Sequence, residues 1–438
     1  MSPASVIFLV VLLGASGLFA RQVGKIRRNI GLGRPLDRTD RRAERWKVMA
    51  RVALGQGKMV ARPVAGVMHI LIYVGFVVIN IEVLEIVIDG VLGTHRVFSF
   101  LGPLYDVLIG GFEILAVGVL LACVVFLARR NVLRLKRFWS KEMTVWPRSD
   151  ANIILIAEII LMGAFLKMNA ADQVLAARGH AHYTLAGSYP VSTLLRPFFE
   201  GMSDATVYGL ERAFWWVHIV GILAFLNYLP ISKHFHIILA FPNTWYSKLT
   251  PRTQVRNMPR VTEEVKLMLD PNADPYAAPA EGQVEPERFG ARDVFDLTWK
   301  SLMDAYSCTE CGRCTSECPA NITGKLLSPR KIMMDTRDRL EEVGRNIDRH
   351  GSFQDDGKSL HDRISEEELW ACTTCNACTQ ACPVNIDPVD IIMEMRRYLV
   401  MEESRTRPAL TSMFNNVENN GAPWAFGPDK RLQWMEEQ

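Results

Sequence analysis

The chain has 438 residues, 49% hydrophobic and 22% charged, and its 50 basic and 47 acidic residues give a formal net charge of +3. This balance lacks the basic excess of a nucleic-acid-binding protein, and no zinc-finger or helix-turn-helix pattern occurs, so we expect no nucleic-acid function. Because apolar residues are concentrated in roughly the first 240 positions, the composition predicts a membrane domain followed by a soluble domain.

Five apolar stretches are long enough to cross a hydrocarbon layer of roughly 30 Å as helices. The predicted spans are Ala4–Ala20, Val64–Ile88, Leu104–Ala128, Ile153–Ala170 and Val207–Ala240. The alternative for the first stretch is a cleaved signal peptide. Its basic residues follow the apolar run instead of preceding it, which favours an anchored helix.

Basic residues alternate between the connecting segments. The segments from Arg21 to Arg62 and from Arg129 to Arg148 hold 13 and 7 Lys and Arg residues, whereas the two alternate loops hold 3 between them. By the positive-inside rule, this predicts a multi-pass protein of the inner (cytoplasmic) membrane with its N-terminus outside and its soluble domain in the cytoplasm. Buried helices of a large soluble core would not explain the alternation.

The soluble part has helical signals. Ser328-Pro329 and Asp387-Pro388 predict the starts of helices through Lys331–Ile347 and Ile391–Met401. We divide the chain into a transmembrane domain (1–241), a linker rich in Pro, Ala, Glu and Asn (242–298), a helical domain (299–402) and a tail (403–438). The tail is either disordered or a docking segment.

Eight of the nine cysteines form two copies of Cys-x2-Cys-x2-Cys-x3-Cys-Pro, 64 positions apart. Three thiolates at this spacing surround one face of a cubane, and the fourth, followed by proline, ligates the neighbouring cluster. This predicts two [4Fe-4S] clusters with crossed ligands, one on Cys308, Cys311, Cys314 and Cys382 and the other on Cys372, Cys375, Cys378 and Cys318. The alternative is structural zinc, which prefers paired cysteines.

The long insert between the two copies differs from the short linkers of small bacterial ferredoxins. The segment from Trp299 to Met401 resembles the α-helical ferredoxin module in the iron-sulfur subunits of succinate dehydrogenase, glycolate oxidase and heterodisulfide reductase. The resemblance implies a soluble domain that conducts electrons between its two clusters.

Histidines in the predicted spans point to haem. His69 near the start of the second span and His236 near the end of the fifth lie at one depth, so the two helices could clamp one b-type haem. His218 is 18 residues before His236, about 27 Å away on the same helix face, and would serve a second haem. His234 is rotated by roughly 160° from His218 and should face elsewhere, as an interfacial residue. For each histidine alone, hydrogen bonding to headgroups or backbone is the alternative.

The first 240 residues resemble the membrane cytochrome b subunit of respiratory nitrate reductase and its relatives in heterodisulfide reductase. The runs that carry the resemblance are Val67-Met68-His69-Ile70-Leu71, Trp216-Val217-His218-Ile219-Val220 and Phe235-His236-Ile237. It implies a five-helix cytochrome b bundle. Ile79 stands where the family pattern has a second histidine on helix two, so His218 lacks its partner. One haem b is expected, and the second is either absent, bound from one side or ligated by another residue.

Acidic residues inside spans are expensive unless paired or hydrated, which marks them as functional candidates. Glu82 and Glu85 are predicted toward the outer side, near the depth of His218, where they could border a quinone pocket or carry its protons. A neutral carboxyl, or an internal pair with Lys167, is the alternative. Glu113 and Glu158 also lie within spans.

Together these features predict an all-α protein, in which a five-helix cytochrome b-like bundle precedes an α-helical ferredoxin domain. It would be an oxidoreductase subunit that passes electrons between the quinone pool, haem b and two [4Fe-4S] clusters. No nucleotide-binding glycine motif, flavin motif or nucleophile–base constellation occurs, so the catalytic site is expected on a partner. The resemblance implies an iron-sulfur subunit with Cys-Cys-Gly repeats or a flavoprotein such as an electron-transferring flavoprotein. The alternatives are a haem-free membrane polyferredoxin that assists assembly of a respiratory complex, and a structural anchor whose clusters stay off the electron path.

Overall fold

The computed structural model describes residues 2–184, 186–272 and 288–436. Within these ranges the chain is all-α, and its one isolated bridge joins Arg34 to Thr298. The predicted fold class, five apolar helices followed by a helical region, is confirmed. Part of the predicted linker, residues 273–287, lies outside the described residues.

Among the described residues, five helices are long and apolar enough to cross a membrane, and all lie in the N-terminal region: α1, α3, α4, α5 and α7. Its helices in chain order are α1 (Pro3–Ile30), α2 (Arg42–Met49), α3 (Pro63–Leu92), α4 (Pro103–Leu127), α5 (Val145–Ala177), α6 (Pro197–Glu200), α7 (Asp204–Tyr228) and α8 (His236–Trp245). Proline begins α3 and α4, where its missing N–H leaves no bond unmade.

The bundle core lies between α3, α4, α5 and α7, with α5 packed along α7. α1 completes the bundle through Phe8, whose ring meets Trp215 of α7 edge-on at 5.4 Å between centroids. Gly90 of α3 allows this approach, because a Cβ there would lie 2.6 Å from the Phe8 ring. A glycine in α3 therefore fixes how closely the first helix packs.

The fifth span ends earlier than predicted. α7 stops at Tyr228, and Pro230 and an extended Ser232 (φ −115°, ψ 153°) separate it from α8. The Asp150 carboxylate of α5 holds this break, since it accepts hydrogen bonds from the Tyr228 hydroxyl at 2.6 Å, the Ser232 hydroxyl at 2.7 Å and the Lys233 amide at 3.1 Å. One continuous helix over Val207–Ala240 is therefore wrong, and the five-turn spacing of His218 and His236 fails with it.

The C-terminal region is helical, as predicted. Its helices are α9 (Pro259–Leu269), α10 (Trp299–Ser307), α11 (Arg313–Ser316), α12 (Pro319–Ile322), α13 (Pro329–His350), α14 (Glu366–Trp370), α15 (Ala377–Ala381), α16 (Pro388–Met401) and α17 (Pro408–Asn420). Both predicted caps form, because Ser328 accepts a bond from the Lys331 amide and Asp387 from that of Val389. We call residues 299–402 the module.

The module sits directly on one end of the bundle, which we call the module end, and the opposite end is the far end. One apolar core spans the boundary, because Ile26 of α1 and Leu239 of α8 pack in the same cluster as Leu302 and Ile332 of the module. α8 also runs four residues into the predicted linker. There Asn243 donates a hydrogen bond to the Val384 carbonyl at 2.9 Å.

Buried ion pairs reinforce this boundary. Arg330 of α13, 1% exposed, pairs with Glu142 of the α4–α5 connection at 2.6 Å. Glu310, inside the first cysteine run, pairs with both Arg337 and Lys233, and Lys233 lies between α7 and α8. Since buried charges are costly unless paired, these contacts favour one fixed placement of the module.

Candidate iron-sulfur and haem sites

The two cysteine runs fold alike because each has left-handed residues on both sides of its second cysteine. These are Glu310 (φ 55°) and Gly312 (φ 72°) in the first run, and Thr374 (φ 54°) and Asn376 (φ 60°) in the second. Alternating left-handed residues turn successive backbone N–H groups inward and form anion-binding concavities. The Thr374 amide accordingly donates to the Cys372 sulfur at 3.4 Å.

The fold brings the fourth cysteine of each run to the other run. Cys382 lies close enough to Cys311 and Cys314 for their thiolates to interact electrostatically. Cys318 lies equally within electrostatic range of Cys372. The short helices that carry the third cysteines, α11 and α15, pack against each other. This is the grouping that the crossed ligand assignment requires, and the assignment itself stays a prediction.

The eight thiols have the properties expected of ligands to a metal cluster. All eight are free of disulfides. Burial raises the pKa of Cys308, Cys378 and Cys382 to about 12, so each would stay a neutral thiol unless a metal bound it. No three His, Cys, Asp or Glu side chains in the described ranges surround a single-ion site. A cubane instead spreads its thiolates over four corners.

Basic side chains surround both cysteine groups. Lys58, from the segment before α3, donates to the Cys382 carbonyl at 2.9 Å. Arg396 of α16 donates to the Cys372 carbonyl at 2.5 Å and stacks on the Trp370 ring at 5.0 Å. Such cations would offset the negative charge of a thiolate-ligated cluster. Sequence reasoning missed both, because neither lies within a cysteine run.

The structure brings His69 and His236 together at the module end. Their ring centroids are 6.4 Å apart. Two imidazoles on opposite sides of one iron, with metal–nitrogen bonds of about 2 Å, hold their centroids about 6 Å apart. Nδ1 of His236 bonds to the Lys233 carbonyl at 3.1 Å, which leaves Nε2 for a metal, and Nδ1 of His69 is buried without a partner. The pair therefore fits a haem.

Of the other two histidines, His234 lies in a different place from the one predicted. His234 does not face elsewhere, because the break after α7 places its ring 5.5 Å from that of His236. His218 is 1% exposed, bonds through Nδ1 to the Leu161 carbonyl at 2.9 Å and lies 5.7 Å from the Phe165 ring. Ile79, at the position of the missing family histidine, is buried in the same core.

The acidic candidates Glu82 and Glu85 are buried near the far end, and Lys167 is not their partner. Glu82 pairs with Arg96 of the α3–α4 loop at 3.3 Å, and its Oε2 is buried without a hydrogen bond. Glu85 accepts bonds from the Phe98 amide at 2.8 Å and the Tyr105 hydroxyl at 2.9 Å. The ammonium of Lys167 instead lies over the Phe214 ring at 5.7 Å. Glu82 is thus the less satisfied carboxylate.

Arg96 also joins Glu82 to a buried polar network that sequence reasoning did not find. Its guanidinium pairs with Asp172 of α5 at 2.8 Å and donates to Asn169 at 2.7 Å, and the Asp172 carboxylate lies 3.2 Å from His95. The one available signal was Arg96 itself, a lone cation in a short loop between two apolar helices. That its side chain turns into the bundle and reaches Glu82 and Asp172 is visible only in the tertiary structure.

Comparison with known proteins agrees with the cysteine geometry. Residues 307–386 match the 4Fe-4S dicluster domain family. The chain is 28% identical over 466 residues to the probable iron-sulfur-binding oxidoreductase FadF of Bacillus subtilis, a match covering 99% of this chain and 61% of that protein. It is 26% identical over 439 residues to the EtfAB:quinone oxidoreductase of Syntrophomonas wolfei, covering 92% of this chain and 55% of that protein.

A shorter match is to one subunit of the ferredoxin/F(420)H(2)-dependent CoB-CoM heterodisulfide reductase of Methanosarcina acetivorans, 35% identical over 113 residues, which covers 26% of this chain and 56% of that polypeptide. Each of these three matches thus covers less than two thirds of the relative's own length. No solved structure matches it significantly. The resemblance to iron-sulfur oxidoreductases of the heterodisulfide-reductase type is confirmed, and the chain carries a 4Fe-4S domain.

Proposed function

We propose that this chain is the electron-transfer part of a quinone-linked oxidoreductase. Electrons pass between quinone in the membrane, a haem b on His69 and His236, two [4Fe-4S] clusters in the module and a soluble partner. The single observation that carries the proposal is the order of the sites. The histidine pair, the first cysteine group and the second follow one another from the bundle to an exposed cysteine.

The first step joins the histidine pair to the first cysteine group. Arg313, next to Cys314, donates to the backbone carbonyls of Lys58 at 2.9 Å and Met59 at 3.3 Å. That segment leads directly into α3, which carries His69. The chain's role here is to hold the two sites in fixed contact, while haem and cluster supply the one-electron chemistry when bound.

The second step leads across the module to its surface. Cys378 of the second group lies within electrostatic range of Cys314 of the first group. Cys375 of the second group is exposed, whereas each thiol of the first group is buried or half-buried. The second cluster would therefore be the one that meets the soluble partner, an iron-sulfur subunit with Cys-Cys-Gly repeats or an electron-transferring flavoprotein.

The quinone end of the proposal rests on two supports. One relative is named as an EtfAB:quinone oxidoreductase. In this chain, Glu82 is a 1% exposed carboxyl near the far end of the bundle whose Oε2 lacks a partner, so it can hold a proton that a quinol releases. We place the far end and the N-terminus outside and the module in the cytoplasm, because basic residues are concentrated at the module end.

The test is a pyridine haemochrome assay, with iron and labile sulfide, on the detergent-purified full-length chain. We expect about eight cluster irons per chain from two four-iron cubanes, at least one haem b, and reduction of both cofactors by a menaquinol analogue. His69→Ala and His236→Ala should each abolish the low-spin haem signal, and His234→Ala should keep it. A signal retained in either of the first two variants would refute the ligand pair, and clusters without haem would favour the accessory-protein alternative.

A further inference from the structure

A basic cleft of about 1040 Å³ opens at the module end, where the bundle and the module meet. Its walls come from the chain between α1 and α3, which includes α2, from the segment after α8, and from the module itself. Among the described residues that line it, nine are Lys or Arg and five are Asp or Glu. This excess of positive charge is concentrated where three parts of the chain must stay together.

Neutralisation of the cleft is incomplete. Three of its acidic residues pair inside it, through Lys300–Asp304 at 2.6 Å, Arg62–Glu317 at 3.0 Å and Arg256–Asp390 at 3.9 Å. Six lining cations have no ion pair with any carboxylate of the described residues, namely Arg38, Arg51, Lys58, Lys248, Arg252 and Arg313. Nε of Arg38 is also buried without a hydrogen-bond partner. Lys58 and Arg313 also lie beside the first cysteine group, where a thiolate-ligated cluster would offset part of their charge. The other four cations repel one another unless a further anion lies between them.

Apolar side chains flank the same cleft. Trp46, Leu54 and Val60 lie on the segment that contributes Arg51 and Lys58, and their exposures are 57%, 48% and 57%. This segment ends where α3 enters the apolar part of the bundle, at Pro63. A cationic wall beside exposed Trp and aliphatic residues at the end of a span is the pattern of a membrane interface.

We propose that the cleft binds the phosphate headgroup of an anionic phospholipid, whose acyl chains lie against Trp46, Leu54 and Val60. Guanidinium groups bind phosphate through paired hydrogen bonds, and basic pockets at the ends of spans are typical sites for anionic headgroups. Because the cations come from three segments, one bound phosphate would bridge the bundle and the module. The proposal does not depend on the redox function, since it uses no metal-ligating side chain.

The experiment uses the full-length chain in nanodiscs of phosphatidylcholine alone, phosphatidylcholine with inorganic phosphate, or phosphatidylcholine with a minor fraction of phosphatidylglycerol. The readouts are the anionic lipid retained after extraction and the thermal midpoint of module unfolding. We expect phosphatidylglycerol to be enriched around the protein and to raise the midpoint. An equal midpoint with phosphate alone would overturn the lipid assignment, and equal midpoints in all three conditions would overturn the site.

Variants then locate the site. Arg38→Gln with Arg252→Gln should weaken phosphatidylglycerol retention by on the order of 25-fold, taking about fivefold, or about 1 kcal/mol, for each cation near the surface. Arg345→Gln is the matched control, because Arg345 is 65% exposed on α13 and lies outside the cleft. Unchanged retention in the double variant would overturn the assignment to these cations. Labile sulfide content checks the fold, and the wild-type comparison stands if a variant misfolds.

Discussion

Removing Arg330 should loosen the module from the bundle. The guanidinium is 1% exposed and bonds to the Glu142 carboxylate at 2.6 Å and to the Arg137 carbonyl at 2.6 Å. Both acceptors belong to the connection between α4 and α5, whereas Arg330 lies in the first turn of α13. Arg330→Met keeps the aliphatic packing but leaves Glu142, 10% exposed, without its opposite charge.

The expected loss of unfolding free energy depends on the charge that stays buried, which is the Glu142 carboxylate. Breaking a buried ion pair by removing one member costs about 3–5 kcal/mol, because an uncompensated charge stays buried. Loss of the bond to the Arg137 carbonyl adds about 1 kcal/mol. Replacing both members of such a pair with apolar residues is often nearly neutral. The double variant Arg330→Met with Glu142→Leu should therefore recover most of the loss, to within about 2 kcal/mol of the parent chain.

The assay is urea unfolding of the detergent-purified full-length chain, followed by the visible absorbance of the clusters. Arg345→Met is the control, since Arg345 lies on the same helix with its side chain 65% exposed, and it should change the unfolding free energy by less than about 0.5 kcal/mol. A double variant as unstable as Arg330→Met would show that the stranded carboxylate is not the cost. A loss below about 1 kcal/mol in Arg330→Met would refute the argument from burial.

Three further outcomes are expected. Cys318→Ser and Cys375→Ser should lose the same cluster and give the same electron paramagnetic resonance spectrum, although they lie in different runs. Cys382→Ser should lose the other cluster. Loss of the same cluster in Cys375→Ser and Cys382→Ser, which share a run, would contradict crossed ligation. Glu82→Gln should slow reduction by a quinol analogue and leave cluster and haem content intact, whereas Glu85→Gln, whose carboxylate is fully bonded, should mainly lower stability. Although burial acts to raise it, the pKa of Glu142 is held below its usual 4.5 by Arg330. The stabilisation by this pair should therefore be fully present above about pH 4.5 and be lost as the pH falls through the lowered pKa of Glu142 in the folded chain. Acid titration of module unfolding would measure this loss.

The helices and the cysteine geometry could be predicted because both are encoded locally. An apolar run of the right length specifies a span, and proline with a preceding cap residue specifies where α13 and α16 begin. The duplicated spacing of the cysteines predicts that each fourth cysteine lies beside the other run. The structure then only has to pack α11 against α15.

The break after α7 could not be predicted with equal ease, because it depends on a residue far away in the sequence. Pro230 is a visible signal, but helices in membranes often continue through proline. What stabilises the break is Asp150, which binds Ser232 across 82 positions. Helical-wheel arithmetic from His218 then fails for His234 and His236 alike. Arg96 is a similar case, since only tertiary folding brings it to Glu82.

The shared core at the module end restricts how electrons can move through this chain. If the module moved to carry electrons, it would have to detach from the bundle, and its contact with the bundle would have to be polar and weak. Here Leu302 of the module packs in one cluster with Ile26 and Leu239 of the bundle, and buried ion pairs cross the same boundary. Detaching the module would expose apolar surface and strand charges such as Glu142. Under the proposed function, electrons must therefore cross a fixed contact from the histidine pair, and the mobile step is left to the quinone and to the partner that docks near Cys375.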